Sequence, residues 1–348
     1  MKKVTIVMLV LLALGAGLAI AGFSLGGMKS IGFERDGVKI LESGDEREAV
    51  SVNETFDAAA VKAVRVDLPA IGKIEFREGE ALTVQGRNYK DRGGLKAGLK
   101  DGVLVIERSE ESTRGIVGLD FRGISEEVCA VTITYPAGQT FDSADILSDF
   151  TEIAVAGLAA DAVTIDADSG NIAVADVVCR TLSVDVEFGN VDVIGTRASD
   201  SLTVQSKSGA CGLTDVKTGD LAISANFGDC RMKNVEANRS AFKGNSGDWT
   251  AEGLTSGKAL TMKCDFGSVS FSDTALNGTS DFEIGSGDFS LGLRMNRDDV
   301  RYEIDTDAGE IQVDGKKQGS PASGGAGTAK HAITINSDFG SVKLRFAA

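Results

Sequence analysis

Ile165-Asp166-Ala167-Asp168-Ser169-Gly170-Asn171-Ile172-Ala173-Val174 returns further along the chain as Val184-Asp185-Val186-Glu187-Phe188-Gly189-Asn190-Val191-Asp192-Val193. The core of this motif keeps returning: Ser208-Gly209-Ala210, Phe227-Gly228-Asp229, Ser246-Gly247-Asp248, Phe266-Gly267-Ser268 and Ser286-Gly287-Asp288. Two later copies are Ala308-Gly309-Glu310 and Phe339-Gly340-Ser341, and an earlier one, Phe150-Thr151-Glu152, lacks the glycine. Successive glycines lie about 20 residues apart, and only the last interval, from Gly309 to Gly340, is much longer. A repeat of this length is one unit of a solenoid, which buries its apolar residues only by stacking on its neighbours.

The residues flanking each glycine tell which way the chain faces. Five before it stand Ile165, Val184, Val204, Ile223, Phe242, Met262, Phe282, Ile304 and Ile335. Two after it stand Ile172, Val191, Cys211, Cys230, Trp249, Val269, Phe289, Ile311 and Val342. Four after it stand Val174, Val193, Leu213, Met232, Ala251, Phe271, Leu291, Val313 and Leu344. In a chain that is 42% apolar, one such column arises by chance about once in a few thousand tries. Three independent columns make the register secure.

On each side of the glycine the alternation has period two, the period of a strand. Odd offsets face inward before the glycine and even offsets after it, so the parity flips there. A continuous strand cannot do this. A bend is required, and glycine takes the necessary backbone angles without a Cβ clash. The residue before the glycine alternates phenylalanine and serine from Phe150 to Ser286. Turned inward, that column would interleave large and small side chains along the axis, as close packing favours.

Outward from the repeat, residues 61–143 read as a capping β region and residues 144–348 as the solenoid proper. Short strand-like runs open the cap: Val64–Leu68, Gly72–Phe76, Leu82–Gln85, Leu104–Ile106 and Ala130–Pro136. Residues 87–102 and 107–126 read as polar loops, and 314–330 as an exposed Gly/Ser loop. Residues 28–60, rich in Glu, Asp and Ser, read as a stalk. Before them Lys2 and Lys3 precede an uncharged run from Val4 to Gly27. From Val4 to Phe23 it supplies the length of a membrane span, while Ala19-Ile20-Ala21 offers a signal-peptidase site. Continuation of the run into Phe23 and Leu25 favours an uncleaved anchor over residues 1–27, with the lysines inside and the rest exported. The C-terminal end carries no second apolar segment, so the expected tether is N-terminal.

Composition narrows the function. With 43 glycines, 3 prolines, 1 tryptophan and 1 histidine the chain is suited to a turn-rich all-β fold. A net charge of −15 argues against nucleic acid, which needs clustered basic residues. Cys129, Cys179, Cys211, Cys230 and Cys264 are odd in number and form no CxxC pair, so neither a full disulfide framework nor a zinc site is expected. Cys211 and Cys230 hold equivalent positions on successive coils and should be buried neighbours.

Taken together, the Val64–Leu68 opening with Ile71-Gly72-Lys73-Ile74, the Thr132–Pro136 strand, the serial glycine corners and the Gly309–Lys317 segment resemble the bacterial putative-adhesin family. Those motifs span residues 60 to 347. The resemblance implies a β-helical cell-envelope domain of unknown function behind an N-terminal membrane helix; it supplies no biochemical activity. Thr151 and Ala308 depart from the corner pattern.

Catalytic chemistry finds little support. His331, the single histidine, opens the final strand without a nucleophile beside it. The corner carboxylates, Asp168, Glu187, Asp265, Asp307 and Asp338 before the glycines and Asp229, Asp248, Asp288 and Glu310 after them, could form a calcium ladder or a glycosidase pair. Solvated turn residues explain them better. No catalytic, cofactor-binding or metal-binding residue is assigned. The expectation is a right-handed parallel β-solenoid of about 20-residue coils, preceded by a single-pass transmembrane helix and displayed outside a bacterial cell. It would serve as a non-enzymatic adhesin-like, structural or envelope-stress protein whose partner is a protein, a glycan or wall polymer. The alternative is a polysaccharide-active β-helix lyase or hydrolase.

Overall fold

The computed structural model describes residues 30–34, 37–41, 49–69, 71–89, 93–109 and 129–347. The Val4–Gly27 run, its alternative cleavage site and most of the 107–126 loop lie outside the described residues. Among the described residues no helix is long and apolar enough to cross a membrane.

Apart from an antiparallel pair, Ser30–Glu34 with Gly37–Leu41, the strands join one continuous sheet wound on itself. A typical coil is a long strand, Ala159–Ser169, then the Gly170 corner, then a short strand, Ile172–Ala175. The long strand lies parallel and in register on Val178–Phe188, and the short one on Val191–Ile194. Every residue of the three columns is buried, as the alternation requires. The extra residue of longer coils is absorbed away from the glycine corner, as between Ala198 and Ser201 or Ala237 and Arg239, leaving the columns aligned.

The glycine corner is dictated by the stacking. Gly170 to Gly287 take φ between +131° and +150° at this corner, and a Cβ on Gly247 would meet the Gly228 carbonyl oxygen at 2.1 Å. Each glycine therefore sits against the backbone of the coil before it. Thr151 does not take the positive φ of these glycines, and its hydroxyl donates to the Ile71 carbonyl of the coil before it at 2.9 Å. A short strand further on, the chain turns again at a second corner. Asp176, Asp215, Asn234 and Asp273 adopt left-handed backbone there, in file with Gly157, Gly195 and Gly253. Asp and Asn tolerate that conformation better than other non-glycine residues.

Both ends depart from the regular coil. Ala63–Asp67 and Lys73–Gly79 form a further coil under Thr140–Ala156, with Val103–Glu107 and Ala130–Pro136 beneath it, all parallel. Antiparallel strands then close that end: Ala49–Phe56 on Leu82–Tyr89, and Lys96–Lys100 on Val103–Glu107. Residues 49–56, read as stalk, and parts of 87–102, read as loop, are thus paired strands. At the other end the 314–330 loop contributes Lys316–Gln318 and Ala322–Gly324, antiparallel to Ile311–Val313 and Tyr302–Ile304. Unpaired strand edges invite aggregation, and such cover blunts them.

The last two coils are out of chain order. His331–Phe339 lies between Thr279–Ser286 and Val300–Ala308, parallel to both. The glycine file therefore runs Gly287, Gly340, Gly309. The long interval between Gly309 and Gly340 is the return loop that this insertion needs.

Candidate functional site

The residue before each glycine corrects the inward reading of the phenylalanine–serine column. Phe150, Phe188, Phe227, Phe266 and Phe339 are exposed, each between 59% and 64%. The chain already turns at this position, so strand parity stops short of the glycine. Offsets −7, −5 and −3 face inward, as in Val163, Ile165 and Ala167, whereas −1 projects from the corner.

In space the column reads Phe150, Ser169, Phe188, Ser208, Phe227, Ser246, Phe266, Ser286, Phe339, Ala308. Insertion of the C-terminal strand restores an alternation that chain order breaks, because Ser286 and Ala308 would otherwise be neighbours. Coils are about 4.8 Å apart, so the rings recur about every 9.6 Å and the file is about 38 Å long. The rings stand on a backbone ladder that continues through the corner: the Gly189 N–H donates to the Ser208 carbonyl at 2.9 Å, and the Val191 N–H to the Ala210 carbonyl at 2.9 Å. Contiguous apolar patches of this kind are rare on folded surfaces that have nothing to bind.

Beside this edge, one outward column of the long strand changes sign along the stack. At offset −4 stand Asp166 and Asp185 near one end, Gln205 and Ser224 in the middle, and Lys243 and Lys263 beyond, followed by Glu283, Asn336 and Asp305. Partial burial and then neighbouring Asp166 raise the Asp185 pKa above the usual carboxylate value. Burial and then Asp168 do the same for Asp149. Between the lysines and Gln205, the small side chains of Ala222 and Ala241 leave a shallow apolar groove of about 410 Å³.

The aspartates after the glycines have a structural task, whereas Glu310 pairs with Lys317. Asp229 Oδ1 accepts the Asp248 N–H at 3.1 Å, Asp248 Oδ1 the Ser268 N–H at 2.8 Å, and Asp288 Oδ1 the Ser341 N–H at 2.9 Å. Asn171 and Asn190 do the same for Asn190 and Ala210. Each side chain caps an amide of the next coil in the stack, which explains why Asp and Asn stand there. Among the described residues no group of three or more His, Cys, Asp or Glu is placed to hold a metal ion. His331 Nδ1 accepts the Gly278 N–H at 2.9 Å, a contact that fixes the inserted strand.

All five cysteines are buried, and Cys211 and Cys230 are partners on adjacent coils. Burial pushes the Cys179, Cys211 and Cys264 thiols up to about 11, and Cys230 well above its ordinary value. Thiols held protonated in this way are poor nucleophiles.

The family model described as Toastrack DUF4097 matches residues 72–209 and 189–345, bearing out the resemblance read from the sequence. No curated protein matches the chain. A solved structure titled as a putative adhesin from Bacteroides fragilis is 12% identical, with 86% of this chain and 98% of that one covered and a TM-score of 0.37. A putative cell adhesion protein from Clostridium sporogenes is 11% identical, with 86% and 100% covered and a TM-score of 0.21.

Proposed function

The chain belongs to the Toastrack DUF4097 family, and from that footing we propose that it is an exported, membrane-anchored and non-enzymatic scaffold that presents its phenylalanine edge to a macromolecular partner. The observation that carries this reading is the file of exposed rings on alternate coils. A ring more than half exposed forgoes much of the roughly 1.5–3 kcal/mol that its burial would contribute. Repetition of that loss in register along one edge points to a covered face.

In this reading residues 1–27 are the anchor, the solenoid stands outside the membrane, and the antiparallel strands at each end keep it from polymerising end to end. We take the coils to be right-handed, the hand that parallel crossover connections adopt. Buried protonated thiols and carboxylates engaged in capping favour a binding role over a hydrolytic one.

Protease added to intact cells, followed by fractionation, tests the reading. The expected result is a membrane-bound chain with an intact N-terminus, degraded from outside. A mature chain starting at Gly22 would overturn the anchor, and protection from external protease would overturn surface display. Beads carrying the full chain should retain cells, and F188S/F227S/F266S should release them; retention by both would remove the edge from the function.

A further inference from the structure

We propose that the partner of the phenylalanine edge is the same edge of a second copy, lying antiparallel. The column alternates a ring with a small side chain from Phe150 to Ala308. Between consecutive rings is a gap of two coil spacings, about 9.6 Å. A ring inserted halfway would lie about 4.8 Å from each neighbour, inside the 4.5–7 Å range that aromatic pairs prefer. The object with rings at the required repeat is this edge itself. Each ring from Phe150 to Phe266 would stand opposite a serine of the other copy, with Phe339 beyond the overlap.

Symmetry chooses the direction. A twofold axis along the solenoid would set ring level with ring, and they would collide. A twofold axis perpendicular to the solenoid, passing midway between two coils, interleaves them and closes the pair, as an isologous contact does. Charge chooses the register. When Phe227 faces Ser208 of the second copy, Phe188 faces Ser246 and Phe266 faces Ser169. In that register Asp166 comes opposite Lys263 and Asp185 opposite Lys243, twice each by symmetry. Thus the acidic pair Asp166 and Asp185 and the basic pair Lys243 and Lys263 of one column complement each other across the two copies, beside the 3.7 Å ion pair that Lys263 makes with Glu283 within each copy. Asp168 then faces Asp265 and Glu152 faces Asp288, so the rings drive association and the flanking charges mainly set register. Shifting the pair by two coils replaces the Asp185–Lys243 encounter with Asp185–Glu283 or with Asp185–Gln205.

The area suits a modest dimer. Four overlapping rings per copy, of about 200 Å² each and roughly 60% exposed, bury about 1,000 Å² between two copies. The serines and the outward columns beside them bring the contact to the lower bound of stable complexes. The pairing stands without the anchor. Its consequence rests on the anchor proposed above: antiparallel copies carry their N-termini at opposite ends, so anchored copies would join facing membranes, and clustering would add avidity.

Full-length chain purified in mild detergent should sediment as a concentration-dependent dimer. F188S/F227S/F266S should weaken the dimer at least about tenfold without lowering the melting temperature. A mixture of D166C and K263C single variants, treated with a short bismaleimide, should give a cross-linked heterodimer, lost on adding F227S. A chain monomeric at all concentrations, or one whose edge is instead taken by wall polymer or peptide, would overturn the pairing. So would efficient cross-linking of D166C to itself, because the antiparallel register holds those two positions about 24 Å apart along the axis. Dimerisation in detergent without clustering of chain-bearing vesicles would sink only the anchored arrangement.

Discussion

Two files of phenylalanine run along this solenoid, one inside and one on its edge. Within the Gly247–Gly287 coils, Phe242 packs on Trp249 with centroids 5.7 Å apart and on Phe271 at 6.3 Å. Phe271 packs on Phe282 at 6.4 Å, and Phe282 on Phe289 at 4.9 Å. These rings are no more than 3% exposed. On the edge, Phe227 and Phe266 are more than 60% exposed, although each lies less than one coil before Phe242 or Phe282. Residue type does not separate the two files; distance from the corner glycine does. Burial follows strand parity as far as the third residue before the glycine and ceases to follow it at the turn.

The contrast is most severely tested by neighbours in one strand. Val204→Asp would place a charge among Leu202, Ile223 and Val184 with no partner, and should destabilise the fold by about 5 kcal/mol. Thr203→Asp, the adjacent position and facing outward, should stay within about 0.5 kcal/mol. Chemical denaturation measures both, and equal losses would mean that the strand register is wrong.

Next in size is the comparison between the files themselves. Phe289→Ala removes a fully buried ring packed against Phe282 and should lose about 3–4 kcal/mol. Phe227→Ser, on the edge, should change stability by less than about 0.5 kcal/mol. A loss of several kcal/mol at Phe227 would show that the edge is part of the core after all.

How much of this was written in the sequence depends on what each column touches. The inward columns were legible because stacking forces the same environment on every copy, and an unbroken apolar column cannot hide. The edge column was visible as an alternation, but its direction was not, since parity carries no information through a turn. The second corner also leaves a mark: Gly157, Asp176, Gly195, Asp215, Asn234, Gly253 and Asp273 recur once per coil and share left-handed tolerance. That mark is faint in the sequence because three residue types fill one role. The insertion of His331–Phe339 left a trace as well. Ser286 followed by Ala308 breaks the alternation in chain order, and only Phe339 placed between them mends it. That inference needs the coil geometry first. The Asp and Asn caps after the glycines resembled a ligand ladder because the amides they cap, on the next coil, are invisible until the coils are stacked.

A smaller effect separates those caps from ordinary surface acids. Asp248→Ala leaves the Ser268 amide without its 2.8 Å acceptor and should cost about 1 kcal/mol. Asp248→Asn should restore most of it, since an amide oxygen accepts the same bond. If both variants melt alike at the wild-type temperature, the side chain does not contribute to coil stacking.

The smallest expected change bears on the edge alone. Asp185 has a raised pKa because it is partly buried and lies beside Asp166 and Glu187, with Lys207 opposing the shift. A raised value means that the folded chain holds this proton more tightly than the unfolded chain. Stability is therefore lost as pH rises from the ordinary carboxylate value to the raised one, and is regained as pH falls back through that window. Asp185→Asn should accordingly raise the melting temperature slightly at neutral pH, and the advantage should fade in mild acid, where the wild-type carboxyl is protonated too. In the antiparallel pair the same carboxylate stands opposite Lys243, so the substitution should weaken dimerisation while it stabilises each copy. Melting and sedimentation of one variant thus carry opposite signs. A variant that gains stability with unchanged dimerisation would leave the like-charge strain intact and remove Asp185 from the register of the pair.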